Sequence, residues 1–366
     1  MLALAVLLLA TLARAGDVVV DVLDVGQGDA ILIRTPAHKN ILIDAGDKGS
    51  GVVEELTRLG VDHLDLVVSS HPHADHIGAM ESVIRALPPK RYLDTGLAHT
   101  TQTYRSLMAT IEANATIIYQ TAQTGQVFNL DDRARLEVLL PDSARRFRDT
   151  RSDLNSNSVV LKLVHGETCM LFTGDAEEPT ERALIDAKIG TCAVLKVAHH
   201  GSGHSTIQPF LDMLRPTIAL VSVGLGNRYH HPGHGTLARL EQAKATVYRT
   251  DRDGRVTLTS NGKSIRVTTF KREDPGGALL PVAKVPKSDT PPLVPTLPKS
   301  IDPEPELTPD VLEHEACPFA ASRKSEVFHE AGCGNAQKIN AENLVCYASK
   351  EAAEKAGRRS AGCCKP

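Results

Sequence analysis

The sequence predicts a mixed α/β fold: a sheet-rich sandwich with helices outside it, followed by a small cysteine-bearing module. Three observations carry this. Between residues 17 and 272, short runs rich in Val, Ile and Leu alternate with stretches of helical periodicity, and runs of strands broken by single helices favour packed sheets with outer helices. Residues 273–310 are dense in Pro, including Pro291-Pro292 and Pro303-Glu304-Pro305, and read as a semi-rigid linker. Residues 311–366 gather Cys317, Cys333, Cys346, Cys363 and Cys364, five of the seven cysteines.

Taken in order, Leu2 to Leu12 is almost wholly apolar, and Ala13-Arg14-Ala15 offers a small-residue cleavage site. Residues 1–15 therefore read as a signal peptide, and the mature protein is expected to be secreted or periplasmic. The run is too short to span a bilayer. Strands are expected at 18–25, 30–34, 41–44, 64–69, 159–164, 170–173, 194–197 and 218–223. Helices are expected at 51–59, 77–86, 103–113, 179–187, 205–214 and 235–244. Cys169 and Cys192 sit in apolar, strand-like stretches and read as ordinary buried thiols. The formal net charge is -3. No global basic field draws this chain to nucleic acid, so a local patch would have to do it.

The chemistry concentrates where the strand at 64–69 empties into His71-Pro72-His73-Ala74-Asp75-His76. In extended chain, residues two apart share a face, so His71 and His73 reach one metal together. Asp75 and His76, on the turn into a helix, reach a second metal from another side. Imidazole and carboxylate are ligands that zinc and similar divalent ions prefer. Asp175 ends the strand Leu171-Phe172-Thr173 and supplies a bridging carboxylate; standing alone it would read as a helix N-cap. A further strand empties into His199-His200-Gly201-Ser202. One of these histidines is expected to be a ligand and the other to hold the substrate oxyanion or act as an acid; which does which stays open.

These motifs combine with Asp24-Val25-Gly26-Gln27-Gly28-Asp29, Leu42-Ile43-Asp44-Ala45-Gly46, Asn155-Ser156-Asn157-Ser158 and Asn227-Arg228-Tyr229-His230-His231-Pro232. The set resembles the metallo-β-lactamase superfamily, and within it the hydrolase branch found in ComEC DNA-uptake proteins. The resemblance covers nearly all of residues 17–270. It implies an αββα sandwich with the site at the sheet edge between its halves. It implies one metal on His71, His73 and Asp175, with His99 as the candidate third imidazole. It implies a second on Asp75, His76, Asp175 and either His199 or His200. The implied ions are divalent, zinc first and manganese next. Asp44 and Asp29 would orient ligands, and Asn155, Asn227, Tyr229 and His231 would meet substrate.

Two metals about 4 Å apart acidify a bridging water and clamp the attacking and leaving oxygens. Asp75, as acceptor of the water proton, and His200 are the catalytic candidates. The resemblance tilts the substrate toward phosphodiesters, DNA first, and so toward a secreted nuclease. Arg145, Arg146, Arg148 and Arg151, with Phe147 among them, could meet phosphates and a base; the plain alternative is a solvated charged loop. In the tail, His329, Cys333, Cys363 and Cys364 resemble the small zinc module of Ada-type DNA-repair proteins, which implies a structural zinc, although Ala361 stands where a ligand belongs. Disulfides are the alternative there. Competing functions are another hydrolase of the fold (phosphorylcholine esterase-like or a β-lactamase) and a DNA-binding competence accessory with an inactive site.

Overall fold

The computed structural model describes residues 16–142, 146–270 and 279–281, and in the C-terminal part 319–322, 325, 327–330, 339, 344–347, 349–355 and 358–360. The expected signal peptide, Arg145, Cys317, Cys333, Cys363 and Cys364 lie outside the described residues. The chain divides into two units, Met1–Val294 and Pro295–Pro366.

In the first unit, β1 (Val18–Val22), β2 (Ile31–Arg34), β3 (Asn40–Ile43), β4 (Leu66–Val68), β5 (Arg91–Asp94) and β6 (Ile118–Thr121) share a sheet with β14 (Val256–Ser260), β15 (Ser264–Thr269) and β16 (Leu279–Pro281). The order is β16-β15-β14-β1-β2-β3-β4-β5-β6. Pairing is parallel from β3 to β6 and antiparallel elsewhere. The second sheet holds β7 (Val127–Asn129), β8 (Ala134–Leu140), β9 (Val160–His165), β10 (Thr168–Phe172), β11 (Val194–Lys196), β12 (Ile218–Val221) and β13 (Thr246–Arg249). It runs in the order β13-β12-β11-β10-β9-β8-β7, parallel from β10 to β13.

Alternation along each strand builds the layers. Ile41, Ile43, Leu66 and Val68 face the second sheet's Met170, Phe172, Val194 and Ile218 in one buried cluster. Leu42 and Val67, on the other face, pack with helices α1 (Val52–Arg58), α3 (Met80–Ala86) and α4 (Gln102–Glu112). Leu171 and Leu195 pack with α6 (Glu178–Asp186), α7 (Gln208–Leu214) and α8 (His234–Gln242). The result is the expected αββα sandwich. Strands buried on both faces explain why these segments read as continuous apolar runs. Among the described residues, no helix is long and apolar enough to cross a membrane.

Several boundaries differ from expectation. The first strand stops at Val22, because residues 23–30 form a loop closed by Leu23 N–H donating to Ala30 O at 2.9 Å. Gly28 in that loop has φ 129°, and a Cβ there would collide with the backbone carbonyl of Asp75. The helix expected at 77–86 is two pieces, the single turn α2 (Ala74–Ile77) and α3. The sandwich also contains β5, β6, β7, β8 and β13, and the hairpin β14–β15, whose buried positions alternate with polar ones, so that no continuous apolar run marks it. Strand β16 pairs with β15 inside the stretch read as linker.

Cys169 and Cys192 are not free thiols: they form a disulfide with Cα atoms 4.9 Å apart. Cys169 lies on β10 and Cys192 precedes β11, and parallel pairing of Met170 with Val194 brings the two together. That adjacency spans 23 residues and is invisible to local patterning.

The second unit has a four-stranded sheet in the order β19 (Leu344–Tyr347), β17 (Phe319–Ser322), β18 (Val327–Glu330), β20 (Arg359–Ser360). Ala321, Phe328 and Ala353 form its small core. His329 pairs with Ala320.

Replacing Cys169 and Cys192 together with Ala should lower unfolding free energy by about 3 kcal/mol, the chain-entropy value for a loop of this size. Urea denaturation checks it; an unchanged midpoint contradicts it.

Candidate metal centre

The central residues, Asp29 apart, leave the C-terminal ends of neighbouring parallel strands: Asp44 after β3, His71 after β4, Asp175 after β10, His199 and His200 after β11. Parallel strands deliver such ends to one edge, the usual place for a site in open sheets. His73 is the extended N-cap of α2, whose single turn presents Asp75 and His76.

Asp175 is buried at the middle, and its two oxygens face different partners. Oδ1 lies 3.1 Å from His76 Nε2 and 3.4 Å from His200 Nε2. His200 Nε2 is in turn 3.2 Å from His76 Nε2 and 3.3 Å from Asp75 Oδ2. Oδ2 lies 3.8 Å from His71 Nε2 and 3.6 Å from His199 Nε2. His71 Nε2 is 3.0 Å from His73 Nδ1. Donors held by one tetrahedral ion at zinc-like bond lengths stand about 3.4 Å apart. The Oδ1 group matches that spacing and, with Asp29, forms a buried cluster whose donor atoms all lie within 4.8 Å of one another, so it fits a divalent ion. Around Oδ2, the pairs His71–His73, His71–Asp175 and His199–Asp175 lie at 3.0, 3.8 and 3.6 Å.

The groups behind them hold the rings. His76 Nδ1 donates to Asp44 Oδ2 at 2.8 Å, while Ser70 N–H and Oγ donate to Asp44 at 2.7 and 2.6 Å. His200 Nδ1 donates to Ser222 O at 2.9 Å, with Asp29 Oδ1 3.4 Å away. Both Nε2 atoms are thereby aimed at Asp175, the arrangement that fixes tautomer and direction in metal sites. Asp29 thus lies beside His200 Nδ1, its carboxylate within 4.8 Å of donor atoms of His76, Asp175 and His200, and accepts from Lys196 Nζ at 2.7 Å.

Charges are strongly coupled. Burial would raise the Asp175 carboxyl, but His76, His200 and His199 hold it well below the usual range. Burial would lower His200, yet Asp175, Asp29 and Asp75 carry it to about 10. His71 goes the other way, pushed well below its ordinary value by burial and by neighbouring His76. Burial would likewise lift Asp29, but the Lys196 ammonium together with His200 and His76 holds it below the ordinary carboxylate range.

The remaining expected residues fall around this core. His99 sits on the loop after β5, its ring centre 6.0 Å from His73 and its Nδ1 2.9 Å from Thr101 Oγ1. Asn155, on α5 (Asp153–Ser156), brings Nδ2 within 3.3 Å of Glu177 Oε1 and 3.5 Å of His199 Nδ1. Asn227 spends its side chain on its own loop, donating to Gly224 O and His231 O and accepting from the Tyr229 and His231 N–H groups. That loop carries His231 to 5.6 Å from His199 and stacks Tyr229 on His231 at 5.8 Å. Burial, with His199 and His200, pushes His231 down to about 4. Arg146 turns inward and donates to Thr95 O at 2.8 Å, whereas Arg148 is exposed.

Sequence reasoning passed over two buried groups. Lys196, fully buried in β11, was signalled by a lysine inside an apolar strand, which demands a partner. Glu177, buried 3.5 Å from His199 Nδ1, follows Asp175 with no local signal.

Replacing Lys196 with Met strands the Asp29 carboxylate in the interior and should cost about 3–5 kcal/mol of stability. Adding Asp29→Asn should recover most of it. Denaturant melts of both variants check this; a Lys196→Met protein as stable as the parent contradicts it.

A family model described as "Metallo-beta-lactamase superfamily" matches residues 23–225. Three curated relatives are similar. ComE operon protein 3 of Bacillus subtilis is 32% identical over 69% of this chain and 34% of its own length. Recombination protein 2 of Haemophilus influenzae is 30% identical over 65% and 28%. Competence protein ComA of Neisseria gonorrhoeae is 30% identical over 65% and 32%. The chain spans about a third of the length of these relatives. With a candidate metal centre at the edge of an αββα sandwich and the family model covering more than half its residues, the chain belongs to the metallo-β-lactamase superfamily.

Proposed function

We propose that this chain is a two-metal phosphodiesterase that cleaves DNA outside the cytoplasm. The carrying observation is Asp175, one carboxylate whose two oxygens each face a separate set of donors at metal-ligand spacing. Bound divalent ions would acidify a water and stabilise charge on the attacking and leaving oxygens. His71, His73, Asp75, His76, Asp175 and His200 would hold them, and Asp44, Asp29 and the Ser222 carbonyl keep the imidazoles aimed. Asp75, about a quarter exposed at its side chain, is placed to take the proton of the attacking water. Donors gathered on both oxygens of Asp175 favour a working hydrolase over an inactive DNA-binding accessory.

Support for DNA comes from the competence-protein relatives, from exposed Arg228 and Tyr229 beside the site, and from exposed Arg148 on the loop before Asn155. Arg228 lies 4.9 Å over the Tyr229 ring, and Tyr229 is 48% exposed. Support for an extracytoplasmic location is the Cys169–Cys192 disulfide, a bond that persists in oxidising compartments, together with the apolar run at 2–12.

A single-stranded and a duplex oligonucleotide, incubated with Mn²⁺ or Zn²⁺ and with EDTA as control, test the activity. Metal-dependent cleavage is expected, and its absence with both ions contradicts the proposal. Changing Arg148 and Arg228 to Ala should weaken DNA binding and make its salt dependence shallower by about 0.9 for each phosphate no longer neutralised. Turnover of bis-p-nitrophenyl phosphate should hardly change. Equal loss on both substrates would mean that these arginines support structure and not DNA recruitment.

A further inference from the structure

We propose that His199, oriented by Glu177, supplies the third imidazole of the His71–His73 ion, the place that His99 was expected to take. The proposal rests on the two-metal centre described above. Besides His71, whose Nδ1 meets the Ser70 hydroxyl at 3.1 Å, three imidazoles among the described residues direct Nε2 at Asp175 while Nδ1 faces a carboxylate or carbonyl: His76 with Asp44, His200 with the Ser222 carbonyl, and His199 with Glu177. The first two face Oδ1. His199 alone of the three faces Oδ2, at 3.6 Å, with Glu177 Oε1 3.5 Å from its Nδ1. Glu177 is itself buried and held by Asn155 Nδ2 at 3.3 Å and Arg151 Nη1 at 3.5 Å. A carboxylate behind a ligating imidazole is a recurrent device for fixing tautomer and ring direction.

The backbone explains how adjacent histidines serve different ions. His199 (φ 50°, ψ 44°) and His200 (φ 55°, ψ 25°) are both left-handed, an uncommon and costly state for residues other than Gly. In extended chain, neighbours would point to opposite faces. The left-handed pair instead brings both rings onto the one carboxylate, one at each oxygen, with ring centres 6.2 Å apart. Oδ2, His71, His73 and His199 then make four donors, a full tetrahedral set without His99.

The experiment is metal content and Mn²⁺ electron paramagnetic resonance on the full chain, alongside variants His199→Ala, Glu177→Gln and His99→Ala. Wild type should hold two ions per chain with the signal of a coupled pair. His199→Ala should hold one and lose the coupling, and His99→Ala should keep both. Glu177→Gln, which preserves shape, should weaken one of the two ions by about 10–100-fold, the usual effect of removing a group behind a ligand. It keeps the test decisive should His199→Ala fold poorly. Two coupled ions in His199→Ala, unchanged affinity in Glu177→Gln, or loss of an ion in His99→Ala would each overturn the assignment. A wild type that binds fewer than two ions would instead sink the two-metal reading itself.

Discussion

The centre depends on one shared carboxylate. Asp175 is buried at the end of β10, and its two oxygens divide the surrounding donors into two sets. Its position is tightly held. Its N–H donates to Ser158 Oγ at 3.2 Å, and Thr173 Oγ1 donates to the Lys196 carbonyl at 2.7 Å, tying the end of β10 to β11. Gly174 between them adopts φ 50°, and a Cβ there would press on Ser70 and Ser158 at 2.8 and 3.2 Å. Any side chain at that position would push Asp175 away from the histidines it joins.

The two sheets share the labour. The first sheet contributes Asp44 and the His71–His76 segment, the second contributes Asp175, His199 and His200, and only sandwich packing brings them together. The disulfide clips β10 to the entry of β11, the pair of strands whose far ends carry Asp175 and both histidines of the second sheet. The Lys196–Asp29 ion pair joins residues 167 apart and links the second sheet to the loop behind His200. Burying that pair is expensive unless both partners are present. Its presence next to His200 fits a role in holding the ring at the cost of some stability.

Much of this was legible in the sequence, and what was legible was local or carried by family resemblance. His71, His73, Asp75 and His76 lie within six positions at a strand end, so pattern alone placed them together. The apolar strands read correctly because the central ones are buried on both faces. Their edges did not: β6 and β7 are half exposed, and hairpin β14–β15 is polar on alternate positions. The division between His199 and His200 required dihedral angles that residue types do not report. The disulfide and the Lys196–Asp29 pair depend on proximity across 23 and 167 residues. Arg146's charge was visible in the sequence, whereas its hydrogen bond to the Thr95 carbonyl, 51 residues away, was not.

The most direct test of the shared carboxylate is a crystal structure with Mn²⁺ or Zn²⁺ bound, with the ions located by anomalous scattering. Two peaks about 3.5–4 Å apart are expected, one against Asp175 Oδ1 and the other against Oδ2, the separation of two-metal hydrolases. A single peak, or two peaks with Asp175 touching only one of them, would contradict the account.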